Sequence, residues 1–238
     1  MTATARTARS IGVLYLATMA PAPFTILYVP SHFIVRGDAA ATAHNIAAGE
    51  LTYSIGILCG VWNIVLWCFL AMSLYHWLER VDRKQGRLMV MFVAAAVAAG
   101  ILDAVLMSAP LVILRHGSAL AAFSAPQLDA LVYTFVRLRS AELAVAEAFW
   151  GLWLLPLGIL VWRSGFIPRI IGVLLVAGCA GWLIHCVVAI AAPQYANALL
   201  DWLQPLVAPG ELVFIGWLLV KGGAIPLSGT ASPSPRAA

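Results

Sequence analysis

Apolar stretches at 10–35, 51–78, 88–114, 138–162, 166–192 and 206–221 dominate the chain, several of them longer than the ~18 residues that mark a membrane span. A segment in hydrocarbon has to satisfy its own backbone hydrogen bonds, and the alternating pattern of a barrel strand is absent, so each stretch is expected to be a helix. The fold class that follows is an all-α integral membrane protein, a compact bundle of about six transmembrane helices. Charge agrees with this: 63% of the 238 residues are hydrophobic and 10% charged, against roughly 25% charged in a soluble domain. Ten acidic and fourteen basic residues cannot cover a water-soluble fold of this size. Cys59, Cys68, Cys179 and Cys186 all lie inside apolar runs without CxxC spacing, which excludes a disulfide scaffold. Arg6 and Arg9 ahead of Ala20-Pro21-Ala22 imitate a signal peptide, but Pro23 and an apolar run continuing to Val29 argue for a retained span.

Lysine and arginine set the orientation. With the N-terminus inside, Arg6, Arg9, Arg80, Arg83, Lys84, Arg87, Arg163, Arg169, Lys221 and Arg236 fall on the inner side and Arg36, Arg115, Arg137 and Arg139 on the outer, ten against four. Both termini are therefore expected in the cytoplasm, with residues 1–225 as one transmembrane domain and 226–238, rich in Pro, Ser, Gly and Ala, as a disordered cytoplasmic tail. The charges at 79–87 read as a solvated inner loop. The expected partner is the lipid bilayer and not nucleic acid, and the oligomeric state stays open.

Shorter signals complete the outline. Asp38 can cap a helix from Ala39 to Ala48 closed by Gly49. Ser124 and Pro126 can start another, on which Leu128, Leu131, Val132 and Phe135 recur at i, i+3, i+4 and i+7; continuous to Trp162 it would measure about 57 Å, so its first turns must project or bend. The turn Arg163-Ser164-Gly165 makes spans four and five antiparallel neighbours. Gly56 with Gly60, Ala96 with Gly100, and Ala177 with Gly181 read as packing seams. Pro21 and Pro23 break the first helix, either as a kink or as a place where carbonyls line a cavity.

Polar side chains inside spans carry the functional information, since an ionisable group at a helix centre costs on the order of 2.5 to 3.5 kcal/mol on insertion scales. Asp103 lies just outward of the centre of span three, Glu147 about 6 Å outward of the centre of span four, Glu142 further out, His185 in the outer half of span five and Asn63 near the middle of span two. Glu50 and Glu211 open spans two and six from the outside. All fall between midplane and outer surface, as a polar cavity open to the outside would require. Blander readings stand beside this. Glu142 can pair with Arg139 three residues earlier, Glu211 can favour the positive end of its helix, and His185 can hydrogen-bond a neighbouring helix. No metal is expected, because the Glu-x-x-His of helix-bundle sites is absent, and no cofactor, because there is no Gly-rich phosphate loop, nucleophile elbow or HExxH.

Arg36-Gly37-Asp38-Ala39-Ala40-Ala41-Thr42-Ala43-His44-Asn45-Ile46, Trp162-Arg163-Ser164-Gly165-Phe166-Ile167-Pro168-Arg169-Ile170-Ile171-Gly172-Val173, and Gly210-Glu211-Leu212 through Trp217-Leu218-Leu219-Val220-Lys221-Gly222 give the chain a family likeness. It resembles a bacterial membrane-protein family known as domain of unknown function 4386, from about residue 8 to 223, with Ser-Gly-Phe-Ile-Pro-Arg the most specific element. The resemblance implies a compact bundle of about six helices in a bacterial plasma membrane; it implies no activity and carries over no catalytic residue.

Two functions compete. The leading expectation is a multi-pass plasma-membrane protein whose outward-facing intramembrane pocket, drawing on Asn63, Glu142, Trp150, Trp182, His185 and Glu211, binds a small apolar molecule or lipid. The alternative is an intramembrane enzyme in which Asp103 and Glu147 are catalytic general acids on an isoprenoid-like substrate and Trp150 and Trp182 stabilise a carbocation, by analogy with terpene cyclases. A transporter is disfavoured, since no inverted repeat and no second polar half are visible.

Overall fold

The computed structural model describes residues 3–115 and 120–221, with side chains from Thr7 onward. Among the described residues every regular element is helical. Six segments are long and apolar enough to cross a membrane: Thr7–Phe33, Glu50–Leu78, Arg83–Leu114, Ala125–Ser164, Arg169–Ala191 and Pro193–Val220. The tail expected at 226–238 and the side chains of Arg6 and Arg236 lie outside the described residues.

The first span is α1 (Ala3–Met19), a π-helical turn (Pro23–Tyr28) and α2 (Val29–Phe33). Two prolines without N–H groups interrupt the ladder, and the chain widens to bypass them. In α3 (Ala39–Ala48) Asp38 caps as expected, accepting from the Ala41 amide at 2.8 Å, and Gly49 ends the helix. α4 (Glu50–Leu78) and α5 (Arg83–Leu114) form the next two spans. α6 (Ala125–Leu152) and α7 (Leu154–Ser164) make the fourth, interrupted at Trp153, where Pro156 has no N–H for the Leu152 carbonyl. Together they would reach about 60 Å, twice the ~30 Å of hydrocarbon. The first turns of α6 pack on α3, with the Gly37 amide donating to the Tyr133 hydroxyl at 2.8 Å.

α8 (Arg169–Ala191) is the fifth span. The sixth is longer than expected: α9 (Pro193–Val207) runs through Ala208 into α10 (Pro209–Val220), so it begins at 193 and not 206. Asn197, Asp201 and Gln204 lower the local hydropathy and hid that first half.

The spans follow one another round a ring that closes where α10 packs on α1. Tyr15, Trp67, Trp153 and Phe214 fill one core, with Trp153 5.8 Å from the Tyr15 ring and edge-on to Trp67 at 5.7 Å. A second cluster of Val29, Phe33, Ile46, Tyr53, Met107, Val132 and Val136 lies towards α3. The exposed side chains are themselves apolar, among them Leu51, Leu58, Phe69, Val105 and Val112, the surface a lipid solvent would cover.

Glycine brings α7 and α8 nearly into backbone contact. A Cβ on Gly172 would lie 2.7 Å from the Gly158 carbonyl oxygen, and one on Gly158 2.8 Å from that of Gly172. The turn between them is closed by Gly165 at φ +73°, in the left-handed region. Of the expected seams, Gly56 meets Met107, Gly100 meets Ile64 and Gly181 meets Val207, whereas Gly60 faces open space.

At the other end of the bundle Asp82 caps α5, accepting from the Lys84 amide at 3.0 Å, the Gln85 amide at 3.2 Å and Arg163 Nη1 at 2.5 Å. The Gln85 amide foremost, with Arg163 and the Lys84 amide, holds its carboxyl below the usual carboxylate range. A carboxyl lowered by folding stabilises above its unfolded pKa and loses that contribution as pH falls through the folded value. The melting temperature of the wild type should therefore fall towards that of Asp82→Asn on acidification below about pH 4, while a gap independent of pH would contradict the cap's charge.

Candidate functional site

The proline break in the first span leaves carbonyls without their helical donors, and α4 supplies replacements. Trp62 Nε1 donates to the Ala17 carbonyl at 3.4 Å, the group that Pro21 cannot serve, and Asn63 Nδ2 donates to the Thr18 carbonyl at 2.7 Å. Part of the reason for Asn63 in mid-membrane is thus the kink itself.

Opposite the break, Asp103 on α5 takes a forked contact from Arg139 on α6, with Nε at 2.7 Å from Oδ1 and Nη2 at 3.3 Å from Oδ2. Arg139 is 6% exposed. The expectation that it pairs with Glu142 is corrected here: two parallel N–H groups meeting both oxygens of a carboxylate across the helix pair outweigh a single contact one turn along the same helix. Glu142 is left with both carboxyl oxygens buried and without a hydrogen-bond partner among the described residues.

These groups border one cavity of about 80 Å³ among α4, α5, α6 and the π turn. Asn63, Asp103, Arg139 and Glu142 provide its polar wall; Gly56, Gly60, Gly100, Met107 and Trp150 provide apolar wall. Trp67 also borders it, and its indole Nε1 is buried without a partner.

The remaining residues singled out from the sequence lie elsewhere. Glu147 Oε2 is 2.5 Å from His185 Nδ1, and His185 Nε2 is 3.1 Å from the Ala196 carbonyl, so this histidine ties α6, α8 and α9 together. Trp182 does not border the cavity; its ring lies 5.6 Å from that of Trp150 and edge-on to it. Glu211 does not open its span from outside. It lies eighteen residues into the sixth span, where the Tyr15 hydroxyl donates to Oε1 at 2.6 Å. The polar residues expected to converge lie in four separate places. Glu50, at the start of α4, pairs with Arg115 at the surface.

Arg139, Trp67 and Tyr15 were not among the expected site residues. For Arg139 a signal existed: Val132, Val136 and Arg139 stand at i, i+4 and i+7, so it continues the buried stripe of α6. Nothing comparable marks Trp67 or Tyr15 among so many apolar neighbours. Among the described residues no three His, Cys, Asp or Glu gather closely enough to hold a metal.

A family model described as a domain of unknown function (DUF4386) matches residues 10–222. No curated protein and no solved structure matches the chain.

Proposed function

We propose, for a chain that belongs to the DUF4386 family, that this multi-pass membrane protein binds a small apolar molecule or lipid in the cavity among α4, α5 and α6. The observation that carries the reading is Glu142, whose two carboxyl oxygens are buried beside that cavity with no group among the described residues bonding them. Leaving such a group unpaired in a low-dielectric interior is costly, and a bound molecule that donates to it removes the cost. Charge supports an orientation with the Asp82 end inside. Once Arg139 is assigned to the buried pair, the inner count of lysine and arginine exceeds the outer by ten to three. A plasma membrane of a bacterial cell is the setting the family likeness favours.

The general-acid reading of Asp103 and Glu147 loses support on the geometry. Both Asp103 oxygens accept from Arg139, Glu147 does not border the cavity, and His185 holds it on another side of α6.

The test is to block the space. Leucine at position 60 enters where a Cβ meets nothing within 4 Å, so Gly60→Leu should fold normally. Native mass spectrometry of protein released from lipid nanodiscs should find a small molecule retained by the wild type and reduced roughly tenfold or more in the variant. Wild-type protein that carries no such molecule, or equal retention by both, would remove the reading.

A further inference from the structure

We propose that the cavity takes an apolar molecule headed by a hydroxyl group, which donates to Glu142 and accepts from Trp67 or Arg139; this rests on the binding reading above. Donors and acceptors around the cavity decide which head group fits. One N–H of Asn63 Nδ2 goes to the Thr18 carbonyl, and both Asp103 oxygens accept from Arg139. A guanidinium has five N–H groups, so Arg139 keeps donors beyond those two contacts. Among the described residues the Glu142 carboxyl oxygens accept from nothing, and the Trp67 indole, 7% exposed, donates to nothing.

The two orphans are close in depth. Ile64 sits against Gly100 and Asp103 against Arg139, a register that puts Trp67 and Glu142 within about one helical turn, ~5.4 Å, along the bundle. A single head group therefore meets both ends of the problem only if it can donate and accept.

Candidate heads separate on that criterion. An ammonium is favoured in charge by the two acids but has no lone pair for Trp67. A carboxylate has no proton for Glu142, and a carboxylate or phosphate meets two acids. A hydrocarbon leaves both buried groups unpaired. A hydroxyl has one donor and two lone pairs and meets none of these objections. A volume of about 80 Å³ suits a head and its first carbons, and the open space at Gly60 receives them.

Four photoreactive probes that differ only at the head, an alcohol, an ammonium, a carboxylate and a methyl, test this on the full chain in phosphatidylcholine nanodiscs. Each carries a diazirine near the head, and labelled peptides are located by mass spectrometry. The alcohol should label the cavity-lining segments of α4, α5 and α6 about fivefold or more above the methyl probe. Glu142→Leu should erase that preference and Trp67→Phe should reduce it, with labelling at lipid-facing Leu58 and Phe69 unchanged. A stronger signal from the ammonium or carboxylate probe, or a preference that survives both substitutions, overturns the proposal. Equal labelling of the cavity by all four overturns the hydroxyl and leaves the binding reading standing, whereas no labelling of the cavity by any probe ends both. The wild-type comparison alone decides the matter if a variant fails to fold.

Discussion

Arg139→Met is expected to destabilise the protein by roughly 3–5 kcal/mol, the penalty for removing one partner of a buried ion pair. Among the described residues Arg139 is the only cation bordering the cavity, and the substitution would leave Asp103 and Glu142 together there with no opposing charge from them. The side chains of the pair are 8% and 17% exposed, so water screens the loss little. Methionine keeps the length and apolar stem, which separates lost charge from lost packing. Adding Asp103→Leu should recover most of the loss, because it removes the carboxylate that Arg139 neutralised. Reversible unfolding in mixed micelles reads both values. A cost below about 1 kcal/mol for the single change, or a double variant worse than the single, would mean that the pair is not what makes Asp103 tolerable in mid-membrane.

Gly172→Val should do comparable damage by a steric route. A Cβ at 172 would lie 2.7 Å from the Gly158 carbonyl oxygen and 3.1 Å from the Trp162 amide nitrogen, both backbone atoms that cannot rotate away. The α7–α8 hairpin would have to part, and with it the contacts of Leu157, Leu160, Ile171 and Leu175 in the main core. Overpacking typically costs 1–3 kcal/mol and more where backbone must move, so a loss of about 3 kcal/mol or failure to accumulate is expected. Gly60→Ala is the control. It adds the same first carbon where nothing lies within 4 Å and replaces a poor helix former with the best, so it should gain up to ~1 kcal/mol. Equal stability of the two variants would contradict the close crossing.

Much of the fold was legible in local pattern. The Asp38 cap, the Ser124 start of α6 and the short turn at Gly165 each depend on residues within one helical turn of one another, and each stands where the pattern placed it. The start of the sixth span was missed because Asn197, Asp201 and Gln204 dilute its hydropathy, and its true length moves Glu211 from a helix end to the interior. The proline break left two readings, and the tertiary contacts supply elements of both: it is a kink whose carbonyls are taken by Trp62 and Asn63, and its residues Ala22 and Thr25 border the cavity.

Amino-acid order alone was enough for six helices in lipid, because a span is decided by the hydropathy of about twenty consecutive residues and by bonds from each amide to a carbonyl four residues back. It also named the residue types that are out of place there. Which of them meet was decided by helix rotation and register, across separations of 36 residues for Asp103 and Arg139, 38 for Glu147 and His185 and 196 for Tyr15 and Glu211. A rotation of 100° per residue turns one shift in register into a different partner. That is why Arg139 turned from its neighbour Glu142 to a carboxylate on another helix, and why the unpaired acid beside the cavity became visible only in three dimensions.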